Sequence, residues 1–439
     1  MFPFIVNIIS FLFCRKFLIS AGLLEKRVLP SYFASRLYIH LGISLMPGIL
    51  ILNAFPVNHY LLKSLNPETF RIGAYFIAYS IFFYGLSLWA LKTFEERITP
   101  NKRINNIRSW VKKPVKIYRN ESRNNLFYLF IISLYLVYLF QFIGFIPLLK
   151  IISLENLTIT RVEISESFKG IKFIKEVFQI LTVVISYKCY INYKQSRSKN
   201  TLFQFLYSVL LAVLFLTHKF EKAPLLFYAL GFLFLNYYLG YKIRIKHLII
   251  TTLLLFSSLL ALYISAISNY TSLGIHIFTS GPLGRILIGP SMGYYLSLEA
   301  FPTYYEHLGL SSISNTISGI LNLDHSERSA RLLQYIYNKP GVRYGTAGVI
   351  NSYYLGEAWA NFGIVGIILS PMIVACATYL SYRLIISLGR TPLAISILTT
   401  FSLSTPIHGG FNDYFYSLLF LFFITVLFAR LILKYHKKC

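Results

Sequence analysis

Apolar residues in this chain fall into long unbroken runs, and charged residues gather in the breaks between them. The runs lie at about 2–14, 37–55, 72–91, 126–147, 173–190, 203–217, 223–240, 248–266, 354–382, 392–407 and 412–433. Many approach the ~20 residues that carry an α-helix across a bilayer core. Continuous runs, without period-two alternation, speak against a transmembrane barrel. The pattern predicts an all-α polytopic membrane protein with roughly 10–11 transmembrane helices. Short breaks make it one membrane domain over 1–439 rather than a string of soluble domains. The first run is short. It has no basic region before it and no small-residue cleavage site after it, so it reads as a retained segment, either spanning or lying in the interface.

The breaks carry a second pattern. Those at 15–36, 92–125, 188–199 and 241–247, and the C-terminal tail, are basic, with Arg15, Lys16, Arg36, Lys112, Lys113, Lys188 and Lys194 among their cations. Every second connection is thus marked for the cytoplasm by the positive-inside rule. The alternate set, 56–71, 148–172, 218–222, 267–353 and 408–411, faces outward. Only 267–353 is long, and its charges nearly balance, so it is expected to fold over the outer membrane surface. Inside it, RILIGPSMGYYLSLEAFP is broken by Gly289, Pro290 and Gly293, and fits a re-entrant or surface helix better than a span.

Composition agrees with this reading: 56% of residues are hydrophobic, 17% are aromatic and the mean hydropathy is +0.59. The net charge of +26 would point to nucleic acid in a soluble protein, but here the basic connections account for it, so no nucleic-acid partner is expected. Cys14, Cys189, Cys376 and Cys439 form no disulfide framework, and no CxxC, HExxH or other metal-ligand spacing occurs. The two aspartates, Asp324 and Asp413, make no DxD pair, which argues against a metal-dependent nucleotide-sugar transferase.

Candidate chemistry concentrates at the outward connections. Gly341, Gly345 and Gly348, with Arg343 among them, lead into a helix whose Gly356, Ala360 and Gly363 share one face and would let another helix approach closely. Glu357 and Asn361 form a polar stripe beside that seam, and a carboxylate there needs a partner or a wet cavity. THKFEKAP brings His218, Lys219, Glu221 and Lys222 to a connection that the positive-inside rule normally depletes of cations; a snorkelling hairpin tip explains them equally well. STPIHGGFND brings His408 and Asp413 to the same side. Arg285, Arg343, Lys219 and Lys222 are candidates to bind a diphosphate, because a guanidinium fork donates in pairs to phosphate oxygens. Arg328 and Arg331 read as a solvated helix face beside Glu327.

GRILIGPSMGYYLSLEAFP (284–302) and GVRYGTAGVINSYYLGEAWANFGIVG (341–366) resemble the bacterial O-antigen and oligosaccharide repeat-unit polymerases (Wzy-type), as does the long outer loop late in the chain. THKFEKAPLL resembles the short charged turn that opens a membrane helix in that family, although His218 and Lys219 stand where small residues and an arginine are expected. The resemblance implies a metal-independent, cofactor-free glycosyltransferase on the outer face of the bacterial plasma membrane. It would move a growing glycan from undecaprenyl diphosphate onto a new lipid-linked repeat unit, with inversion. Its partners would be lipid-linked oligosaccharide, membrane lipids and a chain-length regulator.

In that reading Arg285 and Arg343 hold the donor diphosphate, and His408 or Glu357 takes the acceptor proton. His218, Lys219, Lys222, Asn351, Tyr353 and Asn361 line the substrate site. An O-antigen ligase, a lipid-linked oligosaccharide flippase and a membrane scaffold are the alternatives. The absence of an internal repeat weighs against a transporter.

Overall fold

The computed structural model describes residues 2–26, 30–55, 59, 61–98, 107–115, 121–150, 172–219, 222–241, 287–345, 347–350, 352–404, 410–415 and 424–427, with isolated positions besides. Among them the chain is helical and holds no strand. The long helices are α1 (Phe2–Ser20), α2 (Tyr32–Ala54), α3 (Pro67–Ile98), α4 (Glu121–Ile143), α5 (Lys172–Ser196), α6 (Lys199–Leu216) and α7 (Lys222–Tyr238). Four short helices follow, α8 (Gly289–Ala300), α9 (Asn315–Ile320), α10 (Ser329–Tyr337) and α11 (Lys339–Arg343). Then come α12 (Tyr354–Ser387) and α13 (Pro392–Ser404). Six helices, α1, α2, α3, α4, α6 and α12, are long and apolar enough to cross a bilayer, and α7 and α13 contain shorter apolar helices. The protein is an all-α, multi-pass membrane protein. Most of the expected span at 248–266 and half of that at 412–433 lie outside the described residues.

Where the pattern is local, the helices follow it. Where charges interrupt it, tertiary contacts decide. Arg15 and Lys16 do not end α1, which continues to Ser20. Arg15 Nε donates to Tyr38 Oη at 2.9 Å and Nη2 donates to the Lys26 carbonyl at 3.0 Å. The buried Asn7 side chain donates to the Ala74 carbonyl of α3 at 2.8 Å, so α1 is a bundle helix rather than an interfacial piece. Arg36, expected in a basic loop, is buried inside α2. Its guanidinium donates to the carbonyls of Tyr32 (2.8 Å) and Phe401 (3.1 Å) and lies 3.7 Å from the centre of the Tyr32 ring. Lys188, expected in another basic connection, is likewise buried, with Nζ 5.7 Å from the Tyr128 ring.

Two features position the site. The first is α8. Pro290 opens it, and its 12 residues span about 18 Å, too short to cross a bilayer. It is packed on all sides: Tyr294 Oη donates to the Gly73 carbonyl of α3 at 2.8 Å, and Gly356 of α12 abuts the Tyr294 Cα so closely that a Cβ would sit 2.9 Å from it. Gly356 is thus a close-approach position, as the small-residue spacing implied.

The second is the break in α12. Gly363 adopts φ 57° and ψ −137°, far from helical values and costly for a residue with a side chain. It therefore interrupts the helix instead of continuing the seam. The carbonyls of Ala360 and Asn361 turn to the 301–313 segment, accepting from Leu308 N (3.0 Å) and Gly309 N (2.8 Å). Irregular backbone at such a position is tolerated because protein groups satisfy it.

Candidate functional site

The first turn of α12 carries Glu357, whose side chain is 3% exposed. A buried carboxylate needs compensation, and Arg328 supplies it. Arg328 Nε donates to Glu357 Oε1 at 2.7 Å and Nη2 donates to Oε2 at 2.8 Å, a bidentate clamp. Its Nη1 donates to Asp413 Oδ1 at 2.8 Å. Glu357 Oε2 also accepts from the Asn412 backbone N–H at 2.8 Å. Gly410 covers the clamp so closely that a Cβ there would overlap both the Arg328 guanidinium and the Glu357 carboxylate.

Local geometry delivers each group. Arg328 is extended (φ −65°, ψ 146°) immediately before α10, so its side chain leaves the helix start instead of joining a helix face. The loop 410–413 presents Gly410, Asn412 and Asp413 together because it closes into a 3-10 turn over Phe411–Tyr414. A polar chain buttresses it from below: Asn361 Nδ2 donates to Asn412 Oδ1 (2.7 Å), Ser312 Oγ donates to Asn361 Oδ1 (2.9 Å), and Asn412 Nδ2 donates to the Ser312 carbonyl (3.0 Å).

The electrostatics are asymmetric. One guanidinium faces two carboxylates, so the cluster carries one more negative than positive formal charge. Burial pulls the Arg328 pKa down, but the hydrogen bonds and charges of Glu357 and Asp413 push it further up, and it ends above its ordinary value. Arg328 is therefore a permanent cation. Its side chain is 39% exposed, against 28% for Asp413. A guanidinium has five N–H groups, and Arg328 gives three to the two carboxylates, which leaves two on a side chain that is only partly buried.

The arrangement corrects several expectations. Arg328 is not part of a solvated helix face. Arg331 is not either, because its Nη1 donates to the carbonyls of Ala347 (2.7 Å) and Gly348 (3.2 Å), fixing the glycine-rich loop that leads to α12. Both were read against helix neighbours only, and both find their partners across loops. Glu357 and Asn361 do sit together, yet Asn361 is fully engaged as a buttress and is buried. Tyr353 is fully buried with its hydroxyl 2.8 Å from Ser80 Oγ, so it joins α12 to α3.

His218 is buried at the turn beyond α6, its Nδ1 donating to the Phe215 carbonyl at 2.6 Å, and does not stand on an exposed tip. Burial pushes its pKa down to about 4, with Lys219 and Lys175 adding to the shift, so it is neutral near pH 7. Arg343 is exposed at the end of α11, and among the described residues no hydrogen bond or ion pair joins it to the cluster. Lys219 is half-buried in the turn after α6. Arg285, His408, Asn351 and the Lys222 side chain lie outside the described residues.

Sequence reasoning missed Arg328, Asn412 and Ser312. A signal existed for one of them: Asp413 is one of two aspartates in the chain and follows Asn412 after two glycines, a compact turn that could present a backbone N–H beside a carboxylate. A separate groove of about 630 Å³ opens between Pro3 of α1, Leu52 and Phe55 at the end of α2, and Lys63 and Arg71 near the start of α3; no cluster residue lines it. Among the described residues no group of His, Cys, Asp or Glu side chains could hold a metal ion. Comparison of the chain with protein-family models, curated proteins and solved structures found no match.

Proposed function

We propose that this protein is a glycosyltransferase that polymerises lipid-linked oligosaccharide repeat units, moving the growing glycan from undecaprenyl diphosphate to a new carrier-linked unit on the outer face of the bacterial plasma membrane. The observation that carries the reading is the Arg328 clamp: a permanently charged guanidinium held by Glu357 and Asp413 on a side chain that stays partly exposed. Such a group is preorganised to meet oxyanion charge as it develops, without reorganising during the reaction.

The reaction assigns roles that differ from those read in the sequence. Both Glu357 oxygens accept from Arg328 and one also accepts from Asn412, so Glu357 positions the guanidinium and is a poor base. Asp413, the more exposed carboxylate, takes the proton of the acceptor hydroxyl as its oxygen bonds to the anomeric carbon. The bond from that carbon to the diphosphate oxygen breaks, and its electron pair leaves with the carrier. Because the cluster is net negative, the diphosphate needs further cations. Arg343, exposed at the end of α11, supplies one, and Arg285 and Lys219 are the other candidates.

The test is polymerisation by the purified protein in nanodiscs, given carrier-linked repeat units and read as a glycan ladder. A ladder that Arg328→Ala abolishes while the variant still inserts and accumulates is the expected result. Transfer of glycan to a lipid A core instead of a ladder would make the protein a ligase. Unchanged glycan in the wild type would overturn the assignment as an enzyme.

A further inference from the structure

The segment between α8 and α10 turns apolar side chains away from the protein. Ile320 is 75% exposed, and Leu310, Leu321 and Leu323 are exposed with it. Asn322, at φ 52°, makes the turn that thrusts Leu321 and Leu323 outward on either side of it. A soluble surface does not usually gather four such side chains in one short tip.

Hydrogen bonds fix where this tip stands on the bundle. Leu308 N and Gly309 N donate to the carbonyls of Ala360 and Asn361 at 3.0 and 2.8 Å, just before the break at Gly363. The tip is tied back to that docking point by Ser318 Oγ, which donates to the Ser311 carbonyl at 2.8 Å, and by Ser326 N, which donates to the same carbonyl at 3.2 Å. Immediately past the break, α12 exposes Ile364, Val365, Ile368, Leu369 and Met372, an apolar stripe along the helix. Immediately before it stands Trp359, its indole N–H donating to the Phe301 carbonyl at 2.9 Å. Tryptophan favours the membrane–water boundary. The segment thus docks on α12 where its surface changes from polar cluster to lipid-facing stripe.

We propose that the tip at 310–323 is an interfacial membrane anchor, with Leu310, Ile320, Leu321 and Leu323 seated at the headgroup–acyl boundary of the leaflet that surrounds this end of α12. The bilayer is the occupant because the segment docks on α12 at the end of its exposed apolar stripe and carries exposed apolar side chains of its own. Side chains at such a depth need penetrate only ~5–10 Å. The proposal rests on the membrane architecture and not on the glycosyltransferase reading. It has a consequence for the site: Ser312, in the same segment, holds Asn361 and Asn412, so the Arg328 cluster is kept at headgroup height. A ligand reaching it would approach along the membrane surface.

Site-directed spin labelling tests this. Replacing Cys376 and Cys439 with Ala leaves the buried Cys14 and Cys189 in place and clears the accessible thiols. Nitroxides are attached to Ile320→Cys and to Leu323→Cys in the full-length protein in lipid nanodiscs. Collision with oxygen, which partitions into lipid, is compared with collision with a water-soluble nickel chelate. Ile368→Cys is the lipid reference and Lys339→Cys the aqueous one. The oxygen-to-nickel ratio at 320 and 323 is expected to shift towards that at 368. A ratio matching 339 would overturn the anchor. So would low collision rates with both reagents, which would mean that protein covers the tip.

Discussion

Arg36 and Arg328 both sit within a membrane bundle, and they are held in opposite ways. Arg36 is buried in α2, gives N–H groups to the main-chain carbonyls of Tyr32 and Phe401, and lies on the Tyr32 ring. It joins α2 to α13 and faces no opening. Arg328 is half-exposed, and its described partners are carboxylates 29 and 85 residues away in sequence. A desolvated ion pair is a weak source of stability, because removing charges from water offsets most of their attraction. A chain that needed only to join α10 to α12 had cheaper means in apolar packing. The difference separates an arginine that serves the fold from one whose geometry would suit the proposed chemistry.

The sharpest way to break that contrast is to exchange the two phenotypes. Arg328→Lys keeps the charge but loses the fork, and should slow polymerisation by about 100-fold or more while leaving the thermal midpoint nearly unchanged. Arg36→Met should do the reverse, lowering stability by about 2–4 kcal/mol with normal specific activity in the folded fraction. Ladder kinetics beside a melting curve in detergent measure both. A poorly active but stable Arg36→Met, or an unstable but fully active Arg328→Lys, would reverse the assignment.

Gly410→Ala should come next. Its Cβ has no room beside the Arg328–Glu357 clamp, so the pair must separate or the 410–413 loop must move. About a tenfold loss of turnover is expected, with the loss falling on kcat rather than KM, because the added methyl displaces the clamp that the proposed transition state would use. Wild-type kinetics would show that the clamp tolerates displacement and would weaken its claim to preorganisation.

A double-mutant cycle of Arg328→Ala and Glu357→Ala sharpens the same point in equilibrium terms. The coupling should lie near 1 kcal/mol, at the low end for contacting residues, because Arg328 is partly screened by solvent. Chemical unfolding of the four proteins gives the value, and additivity within error would mean that the clamp is not an energetic unit.

Near neutral pH the smallest effect belongs to His218, which falls on the structural side of the contrast. Its folded pKa of about 4 lies below its ordinary 6.5, so the unfolded chain binds the proton more readily. Above the ordinary value the residue contributes nothing. As pH falls from there towards 4, stability is lost, by about 1.4 kcal/mol at one unit below the ordinary value. His218→Phe should remove that part of the pH dependence in melting curves between pH 7 and pH 5. An unchanged slope would assign the titration elsewhere.

Much of the fold was legible in the sequence because burial in a bilayer is a local demand. A run of apolar residues long enough to cross announces a helix whatever its neighbours are. That reasoning located α2 to α7, α12 and α13, and it marked 285–302 as too broken for a span. Glu357 and Asn361 stood out for the same reason, as polar groups at helical spacing in an apolar run. Local reasoning failed wherever a charge found a distant partner. Arg15 did not end its helix, Arg36 did not stay in a loop, and Gly363, read as one step of a seam, became the break on which the 301–313 segment docks. Arg328 looked like a solvated face because its neighbours in sequence offer nothing better, while Glu357 and Asp413 reach it from two other segments. Only the tertiary structure decides such pairings, because the free energy of a charge depends on which carboxylates the fold brings within hydrogen-bonding distance, and spacing along the chain does not encode that.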